Sequence, residues 1–209
     1  MISLVGATKI LIVFYSLYGN TAKLARAVAA GVEEVPGCAA ILKRVPETIP
    51  RETLQQLEKS PAYQKAQGEM RDIPLANLDD LLDVDGVVFG SPSHFGNAAA
   101  QLKQFIDATV PLWVKGQLAG KVGGVFCTSG SLHGGNEGTL ISLLLPLLHH
   151  GMIIVGRTYE DYSLADWGTP YGASSTSGPN HDQPPAEQDL AVAKALGKRI
   201  ATVAQKLKG

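Results

Sequence analysis

Three loop segments carry the side chains with which this chain could bind a ligand. The first, Ser16-Leu17-Tyr18-Gly19-Asn20-Thr21, joins an apolar run to a helical pattern. Backbone N–H groups and the positive end of a helix dipole favour a phosphate dianion there, and the side chains of Ser16, Asn20 and Thr21 can add hydrogen bonds. The loop matches neither GxxxxGK[ST] nor GxGxxG, so ATP and NAD lose their main support as its ligand. Simple capping of the helix by Ser16 and Asn20 is the open alternative.

The second and third segments follow two later apolar runs. Ser91–Asn97 (SPSHFGN) presents an aromatic ring, an imidazole and a glycine that permits close backbone approach, so it could edge a flat ring. Thr128–Glu137 (TSGSLHGGNE) is rich in glycine and serine, and its backbone amides could bond pyrimidine carbonyl oxygens. A merely solvated His94 and a Gly-rich loop without a ligand are the alternatives. Because three such loops are predicted at one edge of the sheet, a ligand site is favoured over three unrelated polar loops.

The elements that must position these loops alternate between strand and helix patterns. The predicted strands are Lys9–Tyr15, Ala39–Arg44, Asp85–Gly90, Lys121–Cys127 and Met152–Val155. The predicted helices are Thr21–Val35, Ala98–Ala108, Gly138–Leu148 and Ala186–Leu207. This alternation predicts an α/β fold with a doubly wound parallel sheet, helices on both faces and right-handed crossovers. Five strands suit the 2-1-3-4-5 order of flavodoxin-like folds, in which ligands bind beyond the carboxyl ends of the strands.

Two segments interrupt this alternation. Residues 45–71 turn polar and contain three prolines, with a short helix predicted near Glu52–Lys59, which is typical of an insertion. Residues 156–185 are rich in glycine, proline, serine and threonine and are too long for an ordinary connection, which indicates a functional loop or a subunit contact. At 209 residues the whole chain, 1–209, is predicted to form one domain.

Composition narrows the function classes. Apolar residues make up 45% of the chain and charged residues 18%, which predicts a folded protein. The 18 basic and 19 acidic side chains nearly cancel, so a nucleic acid is not expected as a partner. No stretch approaches the roughly 18 unbroken apolar residues of a membrane-spanning helix. Cys38 and Cys127 lack the spacing of a disulfide framework or a metal site. A cytoplasmic protein without a metal is therefore predicted.

The motifs SLYGNT, GSPSHFGN, TSGSLHGGNE, HHGM and TPYGAS occur in the order and spacing of the WrbA family, which the chain resembles from Lys9 to its last helix. That family comprises flavodoxin-like NAD(P)H:quinone oxidoreductases. The resemblance implies FMN, with its phosphate in the first loop and its ring against the other two. The cofactor-binding residues it implies are Ser16, Leu17, Tyr18, Gly19, Asn20, Thr21, Ser93, His94, Phe95, Gly96, Asn97, Thr128, Ser129, Gly130, Ser131, Gly134 and His150.

The resemblance also implies a reaction. Hydride passes from NADH or NADPH to flavin N5, and two electrons then pass to a quinone in the same cavity, which predicts ping-pong kinetics. In a homotetramer built as a dimer of dimers, Trp113 of a neighbouring chain would wall the cavity, and Tyr18 would help to receive the nicotinamide. His150 would bond the flavin or relay a proton, although His149-His150 could equally supply a cation at a helix end. His150, Trp113 and Tyr18 are thus the predicted catalytic residues.

Two departures from the family pattern stand out. Leu132-His133 resembles an insertion in the third loop, and Ser93-His94 stands where a Thr-Arg pair is common, which replaces a permanent cation by a titratable imidazole. Two other functions remain open. A one-electron flavodoxin would need an acidic docking face, against which the near-zero net charge argues, and an FMN-binding scaffold without turnover is argued against by the intact loops.

Overall fold

A parallel sheet forms the centre of the computed structural model, which describes residues 6–159 and 166–209. Its main strands follow the order β2-β1-β3-β5-β6. Because β4 is only the short return strand of a hairpin with β3, this order confirms the predicted 2-1-3-4-5 arrangement and the flavodoxin-like α/β fold. The strands are β1 (Thr8–Phe14), β2 (Cys38–Arg44), β3 (Gly86–His94), β4 (Asn97–Ala98), β5 (Val122–Ser129), β6 (Ile153–Ile154) and β7 (Ala173–Thr176).

The long helices fall where the apolar periodicity predicts them. The helices are α1 (Asn20–Glu33), α2 (Arg51–Leu57), α3 (Pro61–Glu69), α4 (Ala100–Asp107), α5 (Val110–Val114), α6 (Asn136–His149) and α7 (Glu187–Lys208), with a 3-10 turn at Leu78–Leu81. Sequence periodicity misses α3 and α5, because α3 buries only Tyr63 and Ala66 and α5 is five residues long. None of the described helices is long and apolar enough to span a bilayer.

The sheet is buried on both faces because successive side chains of its strands point to opposite sides. In β1, Ile10, Ile12 and Phe14 join one apolar core with α1 and α7, whereas Leu11 and Val13 join the other with α4 and α6. Helices α1 and α7 pack at close range, since a Cβ at Gly197 would overlap the carbonyl oxygen of Val28. This two-layer covering fixes the N-terminus of α1 at the carboxyl edge of the sheet.

The fifth strand of the sheet is interrupted. β6 pairs with Val122 and Gly123 of β5, and β7 pairs further along the same edge, from Phe126 to Ser129. Within the long segment 156–185, which the sequence predicts as a loop, the chain returns to the sheet at Ala173–Thr176. The polar sequence ASST gives no apolar strand signal. As a result, the residues after β7 reach the same sheet edge as the three predicted loops.

Candidate functional site

A cleft of about 200 Å³ lies beyond the carboxyl ends of β1, β3, β5 and β7. Each of the three predicted loops contributes to its wall, and the segment after β7 adds a fourth side. The lining residues are Ser16, Leu17, Tyr18, Asn20, Thr21, Pro92, Ser93, His94, Thr128, Ser129, Gly130, Ser177 and His181. The sheet edge thus gathers side chains that lie up to 165 positions apart in the sequence, from Ser16 to His181.

The first loop leaves the N-terminus of α1 open. Its N-cap is Gly19, which has φ 87°, and no side chain caps the helix. The Ser16 hydroxyl accepts a hydrogen bond from the Gly19 N–H at 3.1 Å, and Asn20 is already the first helical residue. The alternative in which Ser16 and Asn20 cap the helix is therefore wrong. The first-turn N–H groups remain available to an anion.

Two hydrogen bonds tie the start of α1 to the opposite side of the cleft. The hydroxyls of Thr21 and Thr128 lie 2.8 Å apart, and both residues are buried. The side-chain amide of Asn20 donates to the carbonyl oxygen of His181 at 3.0 Å. These contacts join the first loop to β5 and to the segment after β7, so the polar wall is positioned before any ligand arrives.

The second loop is a tight hairpin. Ser93 pairs with Ala98 and His94 with Asn97, and the two residues between them, Phe95 and Gly96, have φ 54° and 73°. Two consecutive positive φ values are typical of a type I′ turn, whose twist matches that of its strands. Phe95 is fully exposed at the tip. Of the predicted binding residues in this loop, Ser93 and His94 line the cleft, whereas Phe95, Gly96 and Asn97 lie beyond it.

The third loop folds back on itself and holds the second. Ser129 donates its hydroxyl hydrogen to the Ser131 carbonyl at 2.7 Å, and Ser93 donates to the Gly134 carbonyl at 2.7 Å. Gly134 and Ser131 are therefore brought next to cleft residues without lining the cleft themselves, while Thr128, Ser129 and Gly130 line it. Leu132, in the predicted insertion, is exposed.

The chemistry of the cleft favours an anionic, hydroxylated ligand. Its lining side chains include hydroxyls, one side-chain amide, a phenol and two imidazoles, and no Asp or Glu is among these described residues. Burial lowers the pKa of His94, and the neighbouring His181 lowers it further, so His94 is largely neutral near pH 7. A donor-rich wall without a carboxylate fits a phosphate and a polyol chain, and the same residues would therefore fit FMN.

His150 and Trp113 lie elsewhere. His150 follows α6 as its C-terminal cap, whereas Ser93 and Gly134 lie near the other end of that helix, about 20 Å away for 14 residues. The His150 Nε2 atom lies 2.7 Å from the Thr109 hydroxyl, and the Trp113 indole donates to the His149 carbonyl at 2.9 Å. The structure does not bring His150 and Trp113 to the cleft of their own chain.

These two residues belong to a second depression of about 250 Å³ between α4, α5 and the end of α6. His150 is buried, and its Nδ1 atom has no hydrogen-bond partner among the described residues. Burial lowers the pKa of His150, and His149 lowers it further. The alternative in which His150 supplies a cation at the helix end is disfavoured, because its neutral form predominates near pH 7.

Sequence reasoning misses Pro92, Ser177 and His181 as cleft residues. The His181 ring stacks on that of Tyr18, with centroids 5.6 Å apart and planes within 10° of each other. Ser177 donates its hydroxyl hydrogen to the carbonyl of Ser129 at 3.0 Å. Pro92 lies in the second predicted loop, whereas the only sequence signal for Ser177 and His181 is the unusual length and polarity of residues 156–185, which marks the segment without singling out a residue.

A doubly wound sheet with this strand order, whose ligand loops surround an uncapped helix N-terminus, defines a flavodoxin-like protein. The chain belongs to the family described as NADPH-dependent FMN reductase, whose model matches residues 8–160.

Similar proteins agree with this assignment. A protein named NAD(P)H dehydrogenase (quinone) from Archaeoglobus fulgidus is 50% identical over 199 residues, which cover 95% of this chain and 98% of that protein. One of the same name from Geobacter metallireducens is 45% identical over 96% of this chain and all of its own length. The crystal structure of a flavodoxin, WrbA-like protein from Agrobacterium tumefaciens superposes with a TM-score of 0.65 at 25% identity and covers 96% of this chain and 99% of that one. The resemblance to the WrbA family is confirmed.

Proposed function

We propose that this protein binds FMN in the cleft and uses it to transfer two electrons from NADH or NADPH to a quinone. The observation that carries the proposal is the carboxylate-free, donor-rich wall around the open N-terminus of α1. Relatives named NAD(P)H dehydrogenase (quinone), at 45–50% identity over at least 95% of this chain, support the reaction class. A one-electron carrier would need an acidic docking face, against which the near-zero net charge argues.

The residues of the first loop would hold the phosphate. The first-turn N–H groups of α1 point out of the helix end, and the hydroxyls of Ser16 and Thr21 line the cleft beside them. Leu17, Tyr18, Gly19 and Asn20 complete this loop as the remaining phosphate-side residues. Charge-assisted hydrogen bonds from such N–H groups bind a dianion without a lysine.

The other two loops would hold the ring. Neutral His94 can donate or accept one hydrogen bond, and the backbone of Thr128–Gly130 can donate to carbonyl oxygens at the pyrimidine end. FMN, when bound, supplies the hydride and electron chemistry itself. The chain's contribution is to orient the ring, to place donors where negative charge develops, and to leave one face open to a second planar ligand.

A neighbouring subunit would complete the cavity. The cleft volume of about 200 Å³ lies below the roughly 300–1,000 Å³ of typical small-molecule sites, which supports a ligand that extends beyond the wall of one chain. A homotetramer is supported by large apolar side chains exposed on α5 and α6, namely Val110, Trp113, Val114, Ile141, Leu145 and Leu148. Trp113 and His150 would then act in the cavity of an adjacent chain, while Tyr18 would contact the nicotinamide from its own chain.

Two further features belong to this proposal. The cysteines Cys38 and Cys127 are both free and buried, which supports a reducing, cytoplasmic environment. One domain over residues 1–209 is supported by the two apolar cores on either face of one sheet, to which α3 of the 45–71 segment contributes Ala66.

The test begins with uptake of FMN by purified protein, followed by oxidation of NADH and NADPH in the presence of benzoquinone. We expect an absorbance band near 450 nm that is bleached by the nicotinamide and restored by the quinone, with parallel lines in double-reciprocal plots. A protein that cannot take up FMN contradicts the cofactor assignment. A protein that takes up FMN but turns over no quinone contradicts the reaction and leaves the carrier or scaffold alternatives.

A further inference from the structure

His181 lies beside the N-terminus of α1. Its carbonyl oxygen accepts the hydrogen bond from the Asn20 side chain, and its ring lies parallel to that of Tyr18. On the other side, a Cβ placed at Gly130 would come within 3.2 Å of its Cε1 atom. The imidazole is thereby held between the first and third loops, at the mouth of the cleft.

The backbone at His181 has a positive φ, which is uncommon for residues other than glycine but is several-fold enriched for Asn, Asp and His. Its φ is 58°, in a turn closed by hydrogen bonds from the N–H of His181 to Gly178 and from the N–H of Gln183 to Ser177. Glycine would form the same turn without strain. Histidine tolerates this conformation better than most residues, and the turn places its imidazole at the rim of the ligand cleft.

The cleft has few basic side chains with which to bind an anion. Among the described residues that line it, no Lys or Arg occurs, and His94 and His181 are its two basic side chains. The Nδ1 atom of His181 lies 3.3 Å from the Ser177 hydroxyl, and its Nε2 atom has no partner among the described residues. Because the Ser177 hydroxyl donates to the Ser129 carbonyl, Nδ1 is the nitrogen that donates to Ser177, and Nε2 is the ring nitrogen that remains for a ligand, to which it donates in the imidazolium form.

We propose that His181, as an imidazolium, is a ligand of the FMN phosphate and supplies the cation that the phosphate loop itself lacks. This inference rests on the proposed binding of FMN. An imidazole beside a phosphate dianion gains a proton more readily, so FMN should bind more tightly as the pH falls from about 8.5 to 6.5.

Four other titratable side chains lie near His181. The Tyr18 phenol stacks on its ring, and His94 faces it across the cleft with a pKa that is lowered mainly by burial. The Nζ atom of exposed Lys23, on α1, lies 3.5 Å from the side-chain oxygen Oδ1 of Asn20. Exposed Asp182 follows His181 in the chain. Burial therefore disfavours protonation of His94. His181 is the imidazole that the proposal assigns to the phosphate.

The experiment compares FMN with riboflavin, which lacks the phosphate. Dissociation constants are measured by quenching of flavin fluorescence at pH 6.5 and 8.5 for the wild type, His181→Gly and His181→Asn, because both variants accept a positive φ. We expect both to weaken FMN binding about tenfold at pH 6.5 and at most threefold at pH 8.5. Riboflavin affinity should change less than twofold. Arg199→Gln, which removes an exposed cation from α7, serves as the control and should change neither flavin.

Each other outcome is decisive. Equal losses of FMN and riboflavin affinity would show that His181 only shapes the cleft, and an unchanged FMN affinity would exclude it from the site. Both results overturn this inference while leaving the proposed function intact. A wild type that binds neither flavin overturns both proposals. Far-UV circular dichroism of each variant separates loss of binding from loss of folding.

Discussion

The cleft at the carboxyl edge and the depression at the end of α6 differ in how they are built. Cleft side chains bond one another across loops, as Thr21 does with Thr128 and Ser93 with the Gly134 carbonyl, so the wall is preorganised within one chain. Around the depression, Trp113 is half exposed and Val114 is 72% exposed, and the buried Nδ1 atom of His150 has no partner. The polar wall of the cleft is held together within one chain, whereas the depression presents exposed apolar surface, which a second chain would cover in the proposed assembly.

In the proposed function, this difference assigns cofactor binding to the single folded chain and substrate binding to the assembly of chains. Cofactor binding requires donors at fixed positions, which a folded protomer supplies. Binding of two successive planar substrates requires a wall on the open side of the flavin, and an aromatic side chain from another subunit supplies it in the proposed tetramer. Variants in the cleft should therefore abolish cofactor binding, whereas variants in the depression should spare it and impair turnover.

The largest effect is expected from Thr21→Glu. The new carboxylate would lie at the uncapped N-terminus of α1, where it competes with the phosphate for the same N–H groups and repels it. FMN affinity, measured by fluorescence quenching, should fall at least about 100-fold, a loss of roughly 3 kcal/mol. Thr48→Glu, at an exposed position, is the matched control and should bind FMN normally. Retained FMN affinity in a folded Thr21→Glu variant would refute the phosphate assignment.

The assembly is tested by placing a charge on the exposed apolar surface. Leu145→Asp changes a side chain on α6 that is 53% exposed, and Leu207→Asp makes the same change at 54% exposure on α7. We expect Leu145→Asp to reduce the mass measured by light scattering below that of a tetramer and to lower quinone turnover more than tenfold, because a buried unpaired carboxylate opposes association. Leu207→Asp should leave both unchanged. An unaltered tetramer in Leu145→Asp places the interface elsewhere.

The substrate wall is tested by Trp113→Ala. Because Trp113 does not line the cleft of its own chain, FMN affinity should change less than threefold. Loss of a stacking surface should lower kcat/KM for benzoquinone about tenfold, or roughly 1.4 kcal/mol. Leu207→Ala removes a similarly exposed apolar side chain from α7, outside the proposed interface, and should have little effect on either quantity. Unchanged steady-state rates and quinone affinity in Trp113→Ala would exclude it from the cavity.

The sequence predicts the fold and most of the cleft because both depend on local signals. Continuous apolar runs such as Lys9–Tyr15 identify strands buried on both faces, and ligand loops in this architecture must follow them. The sequence does not predict His181 as a cleft residue, because its position depends on β7. That strand is rich in serine and is recognisable only from its pairing with β5. The location of His150 escapes for a different reason, since the family motif implies a flavin contact without saying which chain supplies it.

The smallest effect concerns the buried imidazole at the end of α6. Burial lowers the pKa of His150 below that of an unfolded histidine, so the unfolded chain binds more protons and stability falls as the pH drops through about 6.5. His150→Gln, which keeps a polar partner for Thr109, should lose less stability than the wild type between pH 7 and pH 5. Urea unfolding at both pH values measures the free energy of unfolding. The control His133→Gln, at an exposed position, should show the same difference between the two pH values as the wild type. A pH dependence that is identical in His150→Gln would mean that the depression is filled differently, for instance by a subunit contact that compensates the imidazole.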